Sequence, residues 1–123
     1  MSESVLKGKS FDFALSIVAA YKKLRENGEH VMSKQMLRCG TSIGANIAEA
    51  NMAQSLADFS AKMYIALKEA NETLYWLLLL KRAEYMDTPE AEGLISDCKE
   101  LLRMLISTTK KTAPRHQQLN TEH

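Results

Sequence analysis

The sequence predicts an all-α protein, a single antiparallel four-helix bundle of up-down-up-down topology. Three observations predict it. Apolar residues recur at helical spacing over four long stretches. Five Gly and two Pro in 123 residues leave few corners, which disfavours a turn-rich β-sandwich. The gaps between the periodic stretches are short, so successive helices lie antiparallel. Helices of roughly 17 to 30 residues span about 25 to 45 Å.

The first helix is expected from Phe11 to Asn27, with Ser10 as its N-cap and Gly28 as its stop. Phe13, Ile17, Ala20 or Tyr21, and Leu24 form its core stripe, and Lys22, Lys23 and Arg25 form a wet face. Residues 1–9 are then an N-terminal extension to a bundle at 10–111. Residues 112–123 lack periodicity and read as a flexible C-terminal tail.

The second helix runs from about Ser33 to Met52, with Met36, Ile43, Ile47 and Ala50 on one face. Gly40 and Gly44 interrupt it, each costing about 1 kcal/mol against Ala. Either a neighbouring helix approaches closely where the Cβ is missing, or the helix kinks between two halves. Thr41, Ser42 and Asn46, in and beside this Gly-x-x-x-Gly, argue against a membrane dimer motif.

The third helix is the longest, about Leu56 to Tyr85, and Ser55 with Asp58 makes a start resembling a capping box. Phe59, Met63, Ala66, Ala70, Leu74 or Thr73, and Leu77 form one stripe, and Tyr64, Leu67, Leu74 and Leu78 a second. That arc is wider than one neighbour covers, which implies a central helix or one that also faces another subunit. The fourth helix starts at Thr88-Pro89-Glu90, with Thr as N-cap, Pro at the first helical position and an acid at the positive end of the dipole. Leu94, Cys98, Leu101 and Leu105 form its stripe, and Lys110 and Lys111 suit its C-terminal end.

A 46% hydrophobic, 25% charged composition excludes disorder, and a net charge of +1 does not announce a nucleic-acid binder. The charge is nevertheless segregated. Residues 1–28 hold five basic and three acidic side chains, residues 99–123 five and two, and residues 56–97 four and eight. The first and last helices are neighbours in such a bundle, so Lys22, Lys23, Arg25, Lys110, Lys111 and Arg115 are candidates to pool into a phosphate-contacting patch. The alternative is an ordinary solvated surface.

Cys39 and Cys98 are far apart in the chain, with no C-x-x-C and no His near either. That pattern fits two buried thiols in a reducing compartment rather than a zinc or redox site. The N-terminal stretch shows no signal peptide, and the longest apolar run, Leu74 to Leu80, is far short of the ~20 residues that cross a bilayer. A cytoplasmic protein with no membrane partner is expected.

Chemistry-bearing patterns are few. A di-iron bundle needs Glu-x-x-His on two helices; here the nearest match is Glu69-x-x-Glu72, and His30, His116 and His123 follow no Glu at that spacing. G-x-S-x-G, the Walker loop and the dinucleotide fingerprint are missing. The expectation is no metal, no cofactor and no enzyme activity. Asn46 with Glu49, and Glu69 with Glu72, border the core, with Arg38, Lys62 and Lys68 as partners. They either fix helix register or serve another chain. Tyr64, Tyr75 and Trp76 are core or interface side chains, or stack on bases.

The stretch QMLRCGTSIGANIAEANMAQSLADFSAKMYIALKEANETLYWLLLL resembles the four helix bundle protein family, also called 23S rRNA intervening-sequence or S23-type proteins. Arg38, the run Thr41 to Ala50 with Ser42, Gly44, Asn46 and Glu49, then Asp58-Phe59, and Ala66 to Ala70 with Lys68 and Glu69, carry the resemblance over residues 10–108. Many relatives have Pro-Ser where this chain has Gly44-Ala45, so helix two is expected to be less kinked here. The resemblance implies a left-turning bundle that assembles into a ring, commonly a homopentamer, and no catalytic residues. It also implies association with rRNA or other nucleic acid, and for some similar proteins with a reverse transcriptase. A protein-interaction scaffold or accessory subunit without nucleic-acid contact is the alternative.

Overall fold

A computed structural model describes residues 2–112, with side chains from residue 5 onward. Four helices follow one another: α1 (Ser2–Glu26), α2 (Met32–Ala50), α3 (Leu56–Arg82) and α4 (Thr88–Thr112). Each packs on its sequence neighbour, and α1 also meets α4, closing a square whose diagonals are α1–α3 and α2–α4. This is the up-down-up-down bundle that the spacing predicts.

α1 begins earlier than expected. It starts at Ser2, so residues 2–9 are helix rather than an extension. The reason is Leu6, 1% exposed, which carries the stripe of Phe13, Ile17 and Leu24 back by two turns. Ser10 is therefore no N-cap: it is buried mid-helix, and its hydroxyl donates to the Lys7 carbonyl at 3.0 Å. Gly28 does stop the helix, at φ 91°. The Gly28 N–H donates to Arg25 O and the Glu29 N–H to Leu24 O, the paired bonds of a Schellman motif.

The next residue starts α2. One carboxylate oxygen of Glu29 accepts from Ser33 N–H at 2.6 Å, and the other from Met32 N–H at 3.1 Å and Val31 N–H at 3.2 Å. These are orphan donors of a helix N-terminus, here satisfied by a side chain two residues outside the cap. α2 then runs unbroken through both glycines, and close approach explains Gly40. A Cβ on Gly40 would lie 3.0 Å from both Cγ atoms of Ile17, and one on Gly44 3.4 Å from Ser10 of α1.

Ser55 caps α3 as expected, its hydroxyl accepting from Asp58 N–H at 3.1 Å, while the Asp58 carboxylate accepts from Gln54 N–H at 3.3 Å. α3 ends at Arg82, short of Tyr85, because Glu84 turns into the left-handed region at φ 66°. Tyr85 N–H donating to Leu80 O and Glu84 N–H to Lys81 O make a second Schellman stop. The wide apolar arc of α3 is largely used inside the subunit. Met63, Ala66, Ala70 and Leu77 are core, and Leu67, Leu74 and Leu78 are half-buried against it. Thr88 is already helical in α4, and the Asp87 carbonyl accepts the Ala91 N–H.

Candidate functional site

The basic residues expected to pool do not. Lys22, Lys23 and Arg25 are exposed in the last turns of α1, and Lys110 and Lys111 in the last turn of α4. The helices are antiparallel, and two ion pairs set their level: Lys23 to Glu90 at 3.5 Å and Lys9 to Glu100 at 3.2 Å. Lys110 therefore lies about 30 Å of helix rise beyond the level of Lys23. Two basic groups occupy opposite ends of the bundle instead of one patch. Within the first, Lys23 is paired with Glu90, and the Arg25 guanidinium sits 5.7 Å over the Tyr21 ring. Arg115, with the rest of the tail and His116 and His123, lies outside the described residues.

The family-like motif residues assemble on the α2–α3 seam. Arg38 donates to Glu69 at 3.3 Å, to Gln35 at 3.5 Å and to Glu72. Glu72 also accepts from the Trp76 indole N–H at 3.1 Å. The Trp76 and Arg38 bonds hold the Glu72 carboxyl below the usual carboxylate range. Toward the other end of this seam, Glu49 pairs with Lys62 at 3.4 Å. The pairs of Arg38 with Glu69 and Glu72 and of Lys62 with Glu49 cross between α2 and α3 and fix their register, though at this exposure each contributes little stability. Asn46 does not join them; its amide donates within α2 to Ser42 O at 2.9 Å. Lys68 points to solvent from α3.

A third feature had no clear signal in the sequence. A groove of about 680 Å³ lies between α1 and α2, walled by Phe11, Ala14, Thr41, Gly44, Ala45 and Ala48. Phe11 is 65% exposed and Leu15, one turn on, 57%. Helical spacing had hidden this second stripe, because Phe11 and Leu15 belong to a face turned away from Phe13 and Ile17.

The two buried cysteines are held in their unreactive thiol form. Burial pushes the Cys98 thiol up to about 12, and its Sγ–H donates to Ala70 O at 3.3 Å. Burial likewise raises Cys39, whose thiol donates to Gln35 O at 3.0 Å. Both stay protonated at neutral pH and act as small apolar core residues. No cluster of His, Cys, Asp and Glu able to hold a metal ion is present among the described residues. No helix among them is long and apolar enough to cross a membrane.

Comparison with known proteins agrees with this geometry. No curated protein matches the chain. A crystal structure of a protein of unknown function from the S23 ribosomal protein family, from Bacteroides thetaiotaomicron VPI-5482, superposes with a TM-score of 0.87. It is 56% identical, over 89% of this chain and 99% of that one. The family model described as 23S rRNA-intervening sequence protein matches residues 3–107. Its start at residue 3 agrees with the early onset of α1. On a match that spans nearly all of the bundle, the chain belongs to the 23S rRNA-intervening sequence protein family.

Proposed function

We propose that this protein is a non-enzymatic, cytoplasmic accessory bundle that self-associates through the α1–α2 face and binds RNA as an oligomer. The observation that carries the reading is the seam of Phe11 and Leu15 beside a trough floored by Gly44, Ala45 and Ala48. A projecting ring next to a strip of small residues is a knob beside a hole, and the knob of one copy entering the hole of the next makes a head-to-tail contact that repeats around an axis. Burying Phe11 alone is worth about 2 kcal/mol. A 13.8 kDa bundle also gains from covering surface that its own core cannot reach. A closed ring, five copies by the resemblance above, is the expected product. Basic groups repeated around it add avidity that one subunit, at a net charge of +1, lacks.

Sedimentation of the wild type against Phe11→Glu/Leu15→Glu tests the assembly. The wild type should resist dilution and the variant should sediment as a single folded subunit. A wild type that is monomeric at all concentrations refutes self-association. Binding to structured RNA across a salt series tests the partner: affinity should fall steeply with salt. A flat response, or no binding at about 50 mM salt, refutes phosphate contact. Partners retained after nuclease digestion would favour a protein scaffold.

A further inference from the structure

The face opposite the groove, formed by α3 and α4, carries a different chemistry. On α3, Tyr64, Lys68 and Tyr75 stand at i, i+4 and i+11, all exposed. On α4, Lys99, Arg103 and Lys110 repeat the same spacing and are also exposed. Lys99 and Arg103 line a shallow cleft with Leu78 and Ile95, which places their stripe on the side of α4 that meets α3.

The sequence disguises this face, because residues 56–97 are net acidic. The fold sorts the acids elsewhere. Glu69 and Glu72 turn to Arg38 on α2. Glu90 and Glu100 turn to Lys23 and Lys9 on α1, and Asp97 shares a cleft with Lys9 and Ser16 of α1. Asp58 is held at the start of α3 by Gln54 N–H. Among the described residues of the two helices, Glu92 is the carboxylate left on this face, and it is bound to Lys81 at 2.8 Å. Glu84 and Asp87 stand exposed in the turn between α3 and α4, so it is along the helices themselves that the exterior of α3–α4 is basic although the segment is not.

Two exposed tyrosines among these cations decide the kind of partner. Tyr75, 59% exposed, is braced by Trp76, whose ring meets it edge-on at 5.1 Å. Trp76 is itself held by Glu72. Tyr64, 38% exposed, lies about 16 Å along the same helix. A duplex presents phosphates but keeps its base faces stacked away, so it would leave both rings unused. A single strand offers phosphates and base faces together, the combination that basic grooves with stacking aromatics bind. An acidic protein segment would use the cations and not the rings. From this interleaving we infer that the α3–α4 face is a docking rail for single-stranded RNA, with Lys68, Lys99, Arg103 and Lys110 on phosphates and Tyr64 and Tyr75 under bases. The inference rests on the RNA reading above for the class of ligand and adds the surface and the strand form.

Fluorescence anisotropy with a labelled mixed-sequence single-stranded RNA of about twenty nucleotides, and with its duplex, tests it across a salt series. The full chain should prefer the single strand. Tyr64→Ala/Tyr75→Ala should weaken that binding about tenfold or more with an unchanged salt slope, and Tyr64→Phe/Tyr75→Phe should not. Lys99→Ala/Arg103→Ala should lower the salt slope by about 1.4. All are exposed helix positions, so circular dichroism should report an intact fold. Equal binding of duplex and single strand overturns the strand assignment. Wild-type affinity in both double variants, with loss in Lys22→Ala/Lys23→Ala, overturns the rail and leaves RNA association standing. No RNA binding by the wild type overturns both.

Discussion

Gly40 and Gly44 look equivalent in the sequence and should respond oppositely to the same methyl group. At Gly44 an added Cβ meets Ser10 at 3.4 Å, an ordinary contact. Gly44→Ala should then stabilise by about 0.5–1 kcal/mol through helix propensity alone. At Gly40 the Cβ meets Ile17 Cγ1 and Cγ2 at 3.0 Å and Cδ1 at 3.2 Å. Ile17 is wholly buried and has nowhere to withdraw. Overpacking costs about 1–3 kcal/mol against the same propensity gain of about 1, so Gly40→Ala should destabilise by about 1 kcal/mol. Removing Ile17 should reverse the sign. Ile17→Ala costs about 2–5 kcal/mol by itself. In that background Gly40→Ala recovers its propensity and fills about one methylene of the cavity, a gain of about 2 kcal/mol. The coupling is then about 3 kcal/mol. Urea denaturation followed by circular dichroism at one fixed protein concentration measures all four states. If Gly40→Ala and Gly44→Ala shift the midpoint the same way, or if the Ile17 background changes nothing, close α1–α2 approach is not why Gly40 is there.

Three further perturbations follow from the capping and seam geometry. Ser55→Ala removes the acceptor for Asp58 N–H and should cost about 1 kcal/mol in the same urea assay. At Glu29 burial opposes ionisation, yet the backbone N–H groups of Ser33, Met32 and Val31 outweigh it and hold the pKa below its ordinary value. A depressed folded pKa means stabilisation present above the unfolded value, about 4.3, and lost as pH falls through the lower folded one. Glu29→Gln should therefore lower stability at neutral pH and flatten the acid limb of a stability–pH curve; an unchanged acid limb would exclude Glu29 as its source. Arg38→Gln frees Glu72, which holds the sole tryptophan, so Trp76 emission should shift while the far-ultraviolet dichroism stays constant. Identical emission spectra would mean that Arg38 does not order this seam.

Helix number, order and core were legible because a 3.6-residue period is a local property. Met36, Ile43, Met63, Leu77, Cys98 and Leu105 could each be assigned inward without knowing their neighbours, and all are buried. The Ser55 cap and the Gly28 stop were legible for the same reason. The start of α1 was not, since a Ser at position 10 has the chemistry of a cap but Leu6 outweighs it by extending the buried stripe. Glu29 was missed because it caps from outside the usual position, across a turn whose geometry is set by Gly28. Surface chemistry was least legible. Lys23 and Lys110 were placed together on the adjacency of α1 and α4, but adjacency of antiparallel helices brings opposite ends together. Lys99 and Arg103 escaped notice because linear windows sum charges that the fold directs to different faces.

The two faces are diametrically placed, and that arrangement yields a test neither half provides alone. The α1–α2 groove lies across the bundle from Lys99, Arg103 and Tyr75, so Phe11→Glu/Leu15→Glu alters no residue of the rail. A monomeric RNA binder should keep its affinity in this variant, apart from mild electrostatic repulsion. An oligomer that presents one rail per subunit to the same strand should lose affinity by far more, because linked contacts exceed the strength of one by about 10²–10⁴. The variant should therefore lose at least tenfold in affinity for a long strand, while a strand short enough to occupy one subunit binds wild type and variant alike. Length-dependent loss requires both faces to work as described. Loss that is the same for short and long strands would mean that the new glutamates act on a binding site at α1 itself, and the division of the bundle into an assembly side and an RNA side would be wrong.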